Sequence, residues 1–308
     1  MLTNQNAEKL NVAKSLLKVL VIFVLLDVVF GLLYGPIFFR HKNTRFAKTN
    51  YALNQAREDV VIIGDSRAEN HYNPTVFKDS TGLSFYNTGS DGQGIFYYKA
   101  LLDGILNRYS PKAIVLDIYP DKLNYYATYY DRISYLSPFY FRNKEVRNAV
   151  ELKGNFEKHK LMSSFYRYNS THFIVLKSFI RPKAYLNGFH AIDHAMDPGA
   201  EPTEGGGKSV PDTLAVKYFE AFIEACKERN VKLIVVISPF YKLKVNHESA
   251  AYKTYMQLVG KYKVDLIDYG SHPDFATRAG YFADLTHLNA AGAAHFSNLM
   301  AAELKKRL

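Results

Sequence analysis

The chain of 308 residues is poor in cysteine and holds a single one, Cys226. One cysteine forms no intramolecular disulfide, so a disulfide-stapled domain is excluded while the redox compartment stays open. The apolar pattern around Cys226 indicates a small buried side chain on a helix. No repeat of fixed period is visible, so a repeat architecture is not indicated.

A dense basic arm, zinc-finger spacing and an RNP-like stretch are also missing, although the chain is basic. It carries 39 Lys and Arg against 29 Asp and Glu, a formal net charge of +10. Residues 40–308 keep 36 against 27, a net of +9, so the excess is not confined to the N-terminal segment. Anionic lipid or acidic glycan explains this sign, and we expect no nucleic-acid partner.

One long hydrophobic run covers residues 16–39, enough for a helix to cross a bilayer. No small-residue cleavage site follows it, which favours a retained transmembrane anchor over a signal peptide. The anchor separates a short tail, residues 1–15, from a polar linker, residues 40–57. Lysine and arginine flank both ends, so charge leaves the orientation open. Asp27 inside the span is expected to pair with Lys18 or with a partner helix.

Residues 58–308 alternate short apolar runs with amphipathic stretches, which is typical of α/β proteins. Several apolar runs are continuous Val/Ile/Leu segments, as expected for parallel strands covered on both faces. The predicted strands are "DVVIIG", "LSFYNTG", "AIVLDIY", "VKLIVVIS" and "VDLIDYG", and the main predicted helices are "GIFYYKALLDGILNRY", "TLAVKYFEAFIEACKERN" and "NAAGAAHFSNLMAAELKKRL".

The middle of the chain departs from this rhythm. Residues 122–211 form an insertion whose first part is rich in Tyr and Phe, and residues 188–211 are rich in Gly and Pro. The aromatic part is either a platform for sugar rings or an ordinary packing subdomain, and the Gly/Pro-rich part predicts a mobile loop or lid.

Several histidines need an interpretation of their own. His190, Asp193, His194 and Asp197 have a metal-like spacing but lack a third convincing ligand, so we expect no metal and no cofactor. His71 and His295 are expected to be structural.

The first predicted strand ends in Gly64, Asp65, Ser66 and Arg67. Open parallel sheets bind ligands at the carboxyl ends of their strands, so Ser66 is a candidate nucleophile. A serine needs a histidine to take its proton and an acid to orient that histidine. Asp284 and His287, three residues apart, supply both.

Asp65 and Arg67 have two possible roles beside this serine. Both are compatible with capping the helix that follows Ser66. Alternatively, Arg67 faces the cleft and binds a carboxylate or an acidic sugar of the substrate.

Three blocks resemble those of the SGNH (GDSL-like) hydrolase superfamily, and more closely its membrane-anchored cell-envelope branch. They are "GDSR" after the first strand, "NTGSDG" after the second and "DLTHLNAAG" before the last helix. The resemblance covers residues 58–308, with the aromatic middle outside the common pattern. It implies a three-layer flavodoxin-like α/β fold around a parallel sheet.

The resemblance also implies roles for individual residues. Ser66 is the expected nucleophile, His287 the general base and Asp284 the acid that orients His287. The backbone N–H groups of Ser66 and Gly89 are expected to bind the oxyanion.

The third block of the family departs from its pattern here. The family has a Gly-x-Asn whose asparagine donates to the oxyanion, but the matching stretch reads Asp117, Ile118, Tyr119. Asn124 or the Tyr119 hydroxyl is the expected substitute.

The resemblance implies a serine esterase or acetyltransferase that acts on an ester of a cell-envelope polysaccharide through an acyl-serine intermediate. A single-pass protein of the cytoplasmic (inner) membrane, with its C-terminal domain outside the cytoplasm, would need a multi-span acyltransferase partner for transfer, and none for hydrolysis. The alternative is a non-catalytic binding or assembly component of an envelope polysaccharide-modification complex, favoured by the altered third block and opposed by the intact Ser66, Asp284 and His287.

Overall fold

The computed structural model describes residues 2–201, 210–242 and 246–308, with side chains described from residue 6 onward. A five-stranded parallel sheet in the order β2-β1-β3-β4-β5 forms its centre. The strands are β1 (Val60–Ile63), β2 (Phe85–Asn87), β3 (Ala113–Asp117), β4 (Lys232–Ile237) and β5 (Asp265–Asp268). All five lie within predicted segments, and the order is the flavodoxin-like one that the resemblance implies.

Helices cover both faces of the sheet. Their bounds are α1 (Leu2–Arg40), α2 (Arg45–Asn54), α3 (Ser66–His71), α4 (Pro74–Thr81), α5 (Ile95–Leu106), α6 (Ala127–Arg132), α7 (Arg147–Glu151), α8 (Glu157–Lys160), α9 (Ser164–Tyr168), α10 (His172–Ile180), α11 (Thr213–Glu228), α12 (Ala250–Tyr262), α13 (Pro273–Ala276) and α14 (Ala290–Arg307). Short 3₁₀ turns lie at Pro120–Leu123, Ile133–Phe139, Lys144–Val146 and Ala279–Tyr281.

Two hydrophobic cores explain why the inner strands are apolar at every position. Successive side chains of a strand point to opposite faces, so both faces need burial. Val61 and Leu116 point into a core shared with α2, α5, α11 and α12. Val60 and Val115 point into a second core built with α4 and α14.

The register brings the ends of three neighbouring strands to one edge. Ile63 of β1 lies beside Leu116 of β3, and Leu116 lies beside Val235 of β4. The residues that follow β1, β3 and β4 therefore meet at the carboxyl edge of the sheet, where ligands of such folds bind.

The N-terminal segment differs from its predicted division. α1 starts at Leu2, so the predicted tail, residues 1–15, is helical where it is described. Residues Asn6–Arg40 are long and apolar enough to cross a membrane, and the span is only 6% buried in its most apolar window. The predicted linker, residues 40–57, contains α2, which begins at the N-cap Thr44 and buries Phe46 and Leu53 against the core.

The Gly/Pro-rich segment is held to the body over the part that is described. The amide of Asn87 donates to the carbonyl of Asn187, and the amide of His190 donates to the carbonyl of Glu69, at 2.9 and 3.0 Å. Farther along, the amide of Met196 donates to Phe282. Hydrogen bonds thus hold residues 187–196 to the body, so this part is not the mobile lid that was predicted. Residues 202–209 of the predicted lid lie outside the described residues.

Asn87 at the end of β2 fastens α3 to the sheet. Its Nδ2 donates to the carbonyls of Ala68 and Tyr72, at 2.6 and 3.0 Å, and its side chain is fully buried. Next to it, a Cβ added at Gly89 would lie 2.3 Å from the amide nitrogen of Glu69. The "NTG" block therefore holds the helix that begins with Ser66 in close contact with β2.

Candidate active site

Ser66 is the first residue of α3, directly after β1. The turn needs glycine at position 64, because a Cβ there would lie 2.8 Å from the carbonyl oxygen of Asp117. Asp65 is the N-cap, and its Oδ1 accepts from the amide of Arg67 at 2.8 Å. This geometry confirms the capping role for Asp65 and holds Ser66 at the carboxyl edge of the sheet.

The structure brings Ser66, His287 and Asp284 together in a hydrogen-bonded row. Ser66 Oγ lies 2.6 Å from His287 Nε2. His287 Nδ1 lies 2.7 Å from Asp284 Oδ2 and 3.0 Å from Asp284 Oδ1. With Nδ1 donating to the carboxylate, Nε2 is left as the acceptor of the serine proton. The His287 side chain is 23% exposed, so solvent reaches the row.

Asp284 stays charged in this arrangement. Partial burial disfavours its carboxylate, but hydrogen bonds from His287 and from the amide and hydroxyl of Thr286 outweigh that effect and hold the pKa of Asp284 below its ordinary value. The amide of His287 also donates to Asp284 Oδ1, at 2.9 Å. The acid thus fixes both the backbone and the ring of His287.

A buried ion pair supports the residue before the serine. Lys122 Nζ lies 2.6 Å from Asp65 Oδ2, and both side chains are less than a tenth exposed. Burial disfavours the charged lysine, yet the Asp65 carboxylate raises the pKa of Lys122 well above its ordinary value. The pair holds Asp65, the N-cap of α3, in place beside the buried lysine.

Of the two backbone amides predicted to bind the oxyanion, one has no acceptor among the described residues and the other already has one. Among the described residues, no acceptor bonds to the amide of Ser66. The amide of Gly89 instead donates to Asn87 Oδ1 at 2.9 Å. The Ser66 amide is therefore open to an oxyanion, whereas Gly89 would have to share its hydrogen.

Neither predicted substitute for the missing oxyanion asparagine forms a hydrogen bond with Ser66 or His287 among the described residues. Asn124 is buried, and its Nδ2 is held 3.5 Å from Asp121 Oδ1. Within the described ranges no hydrogen bond links Asn124 to Ser66 or His287. Burial raises the pKa of the Tyr119 hydroxyl to about 12, and the ring of Tyr119 packs beside Arg67.

Arg67 does not face the cleft, so the predicted contact with a substrate carboxylate is wrong. Its side chain is 3% exposed and lies with its guanidinium carbon 3.6 Å from the centre of the Phe240 ring. Its Nη2 donates to Ser238 Oγ at 2.7 Å and to the Ser238 carbonyl, and lies 3.8 Å from Asp117 Oδ1. The arginine is a buried connection between α3, β3 and the residue after β4.

A second histidine completes this connection. The amide of Leu288 donates to His71 Nε2 at 2.9 Å, so the proton of His71 lies on Nδ1, 3.0 Å from Ser238 Oγ. Ser238 Oγ donates to Asp117 Oδ2 at 2.6 Å. Burial lowers the pKa of His71 well below 6.5, in agreement with a neutral ring that accepts and donates. His71 is structural, as expected, but it bears on the loop that carries His287.

We name the set Arg67, His71, Asp117 and Ser238 the buried relay. It joins the residue after Ser66 to the residue after His287. Burial raises the pKa of Asp117, and the nearby Arg67 opposes that rise. Asp117 occupies the altered third block, so the departure from the family pattern has a structural role here. Sequence patterns gave no signal for Ser238, because its partners come from two distant segments, α3 and the end of β3.

The metal-like histidines are not arranged as a site. His190 Nδ1 lies 3.1 Å from the carbonyl oxygen of Ala184. In the part of the chain that the structure describes, no group of three His, Cys, Asp or Glu side chains is arranged to hold a metal ion.

Comparisons with known proteins give limited further information. A protein-family model matches residues 207–308, about a third of the chain, and carries no functional description. No curated protein matches the sequence. Solved structures similar to the chain include the acetyl xylan esterase AlAXEase, 13% identical, covering 81% of this chain and 99% of that one with a TM-score of 0.41.

Two further solved structures are similar to the chain at comparable identity, coverage and TM-score. TesA is 10% identical, covers 81% of this chain and 99% of its own, and has a TM-score of 0.41. A GDSL-like lipase from Bacteroides thetaiotaomicron is 11% identical, covers 81% and 88%, and has a TM-score of 0.38. Scores this low carry no argument about the activity of this chain. Its similarity to the SGNH (GDSL-like) hydrolase superfamily rests on its own sheet order, its motif blocks and the row formed by Ser66, His287 and Asp284.

Proposed function

We propose that this chain is a serine esterase or acyltransferase that forms an acyl-serine intermediate at Ser66. The observation that carries the proposal is the hydrogen-bonded row, with 2.6 Å between Ser66 Oγ and His287 Nε2 and 2.7 Å between His287 Nδ1 and Asp284 Oδ2. A binding role alone gives no reason for a serine, an imidazole and a charged carboxylate to be aligned in this order.

The first half of the reaction follows from these positions. His287 Nε2 takes the Ser66 proton as Oγ bonds to the acyl carbon, and the carbonyl electrons move to its oxygen. The Ser66 amide donates to that oxyanion, and one such donor typically lowers the activation free energy by about 3 kcal/mol. The ester C–O bond then breaks, the imidazolium gives its proton to the departing alcohol, and the acyl group stays on Ser66.

The second half repeats these steps with a different hydroxyl group. His287 takes a proton from water or from a sugar hydroxyl, whose oxygen attacks the acyl-serine carbon. The proton then returns to Ser66 Oγ as the new product leaves. Water as acceptor gives hydrolysis and a sugar hydroxyl gives transfer, so the same row serves both reactions.

We assign the substrate to the cell-envelope polysaccharides on the basis of the site's rim. Tyr125 and Tyr126 are exposed, and the Tyr126 ring lies 5.2 Å from that of Tyr129. Tyr129 in turn lies under the Lys122 ammonium that pairs with Asp65. These contacts connect the exposed rings to the residue before Ser66. Exposed aromatic faces suit the apolar faces of sugar rings, and the basic surface suits acidic glycans.

We place the catalytic body outside the cytoplasm, anchored in the cytoplasmic membrane by α1. One helix has no path for an acyl group through the bilayer. In the transfer reaction, a separate multi-span acyltransferase would therefore deliver the acyl group to Ser66, whereas hydrolysis would need no such partner.

Replacing Ser66 or His287 should abolish ester turnover. Because each residue takes part in bond making, Ser66→Ala and His287→Ala are expected to lower kcat on an activated acetyl ester by a factor on the order of 10⁴ or more. Rates are measured with the detergent-solubilised full chain, with Ser80→Ala and His159→Ala as matched controls of the same residue types. Full turnover by folded Ser66→Ala would refute the proposed mechanism.

A substitution in the buried relay should lower kcat and leave KM unchanged. In Ser238→Ala, His71 Nδ1 loses its acceptor and Asp117 loses its donor, so the loop carrying His287 is less fixed. We expect kcat to fall by about ten- to a hundredfold with KM unchanged, counted per titrated active serine. Ser238→Thr keeps the hydroxyl and should recover most of the rate. An unchanged kcat in Ser238→Ala would show that the relay only fills space.

The rim tyrosine should matter only for polymeric substrate. Tyr126→Ala removes an exposed ring and no member of the row, so KM for an acetylated polysaccharide should rise by about three- to tenfold. The small activated acetyl ester provides the internal control, and its KM should stay constant. Equal effects on both substrates, or none on the polymer, would argue against a sugar platform.

A further inference from the structure

The acid inside the apolar helix is bound by the catalytic body itself. Asp27 Oδ1 accepts from Ser163 Oγ at 2.7 Å and from the Phe165 amide at 2.8 Å, and Asp27 Oδ2 accepts from the Ser164 amide at 2.8 Å. The Asp27 carboxylate thereby caps the first turn of α9. Of the two expected partners, Lys18 is therefore wrong, and the helix that binds Asp27 is α9 of the same chain.

α9 lies directly on α1 at this point. A Cβ added at Gly31 would lie 2.2 Å from Ser164 Oγ, so the glycine permits the close approach. The Phe165 ring stacks on Phe30, with ring centres 4.7 Å apart, and lies 6.0 Å from that of Phe23. The aromatic insertion thus reaches down the apolar helix to the level of Phe23.

α10 continues this contact toward the end of α1. The Tyr34 hydroxyl lies 3.3 Å from Thr171 Oγ1, and His41 Nε2 lies 2.5 Å from Ser178 Oγ. α10 therefore runs alongside the last turns of α1, with its start near Tyr34 and its end near His41.

The length of the apolar helix sets where a bilayer would lie. A hydrocarbon core of about 30 Å takes about 20 helical residues. Counted from Leu16, the start of the apolar run, such a span ends near Gly35. Leu32 and Leu33 are still more than 60% exposed, as expected for residues facing lipid. The segment of α1 that binds α9 and the start of α10 thus lies at hydrocarbon depth.

α10 presents an apolar face on its free side. Phe173, Leu176 and Ile180 are 77%, 61% and 74% exposed, and their spacing puts them on one side of the helix together with Phe179. Basic residues follow at the shallow end, including Arg181 and Lys183, where they would meet anionic headgroups. Val175 and Ser178 are buried, whereas the exposed Lys177 lies beside Phe173 on the free side, where its ammonium would reach the headgroups.

We propose that α9 and α10 form a membrane-docking surface whose occupant is the lipid bilayer. α9 lies in the acyl-chain region beside α1, and α10 begins at the edge of that region near Tyr34 and runs outward, with Phe173 at the boundary with the headgroups and Ile180 and Arg181 among them. At this depth the Asp27 carboxylate accepts from the first amides of α9, which would otherwise be unpaired in hydrocarbon.

Docking also brings the catalytic edge to the membrane surface. α2 begins five residues after α1 ends, and Arg45 at its start pairs with Asp91 at 3.3 Å. Lys48 donates to the carbonyl of Gly89, in the block next to Ser66. A substrate held at the lipid surface would therefore be within reach of the site, although docking itself does not depend on the proposed activity.

The chain has no tryptophan, so single-tryptophan variants report depth without background. The full-length chain is reconstituted in vesicles whose phosphatidylcholine carries bromine at either a shallow or a deep position of the acyl chains. The variants are Phe173→Trp and Ile180→Trp, with Leu20→Trp as the control inside α1 and Arg229→Trp as the exposed control at the opposite edge of the sheet.

We expect blue-shifted emission from tryptophan at positions 173 and 180, quenched by brominated lipid. Deep bromines should quench position 20 most, then 173, then 180, and shallow bromines should quench positions 173 and 180 more than deep bromines do. Emission from position 173 that matches the unquenched Arg229→Trp would overturn the proposal and indicate a water-exposed face for a soluble partner. Blue-shifted emission at position 173 without quenching would overturn the proposal in favour of self-association. If tryptophan at position 20 were not quenched either, the claim that α1 spans the bilayer would also fail.

Discussion

Asp117 and Arg67 form the buried interaction on which the arrangement of the site depends. The two side chains are almost fully buried at the carboxyl edge of the sheet, 3.8 Å apart, and Ser238 lies between them. Buried charges are tolerated only when paired and hydrogen-bonded, so the three segments that supply them are fixed relative to one another. Through His71 and the amide of Leu288 the same set holds the loop of His287. The nucleophile and its base, 221 positions apart, are thereby held within 2.6 Å.

The altered third block, residues 117–119, has a structural role in this arrangement. Its glycine position is occupied by Asp117, whose carboxylate is turned toward Ser238 and Arg67. In the proposed mechanism this block orients the reacting side chains through Ser238, Arg67 and His71, while the open amide of Ser66 donates to the developing negative charge. A missing oxyanion donor is then offset by a more rigid arrangement of serine and histidine.

Local patterns carried much of the fold and part of the site. Short apolar runs predicted all five strands, and those of β1, β3 and β4 are continuous because a parallel strand buried on both faces must be apolar throughout. Ser66 at a strand end, with Asp284 and His287 three residues apart, could be chosen because each motif is short. The sequence could not reveal that Arg67 is buried, since its partners Asp117 and Ser238 lie at the ends of two strands distant in sequence. The partner of Asp27 was equally hidden, because it lies in the aromatic insertion more than 130 residues away.

The most direct test of the central claim is to trap the acyl group on the protein. The detergent-solubilised full chain is mixed with an activated acetyl ester, quenched in acid and analysed by intact mass and peptide mapping. Our account predicts one acetyl group, found on the peptide that contains Ser66, and none on folded Ser66→Ala. An acetyl group that persists in Ser66→Ala, or a folded parent chain that neither forms an adduct nor turns the ester over, would contradict it.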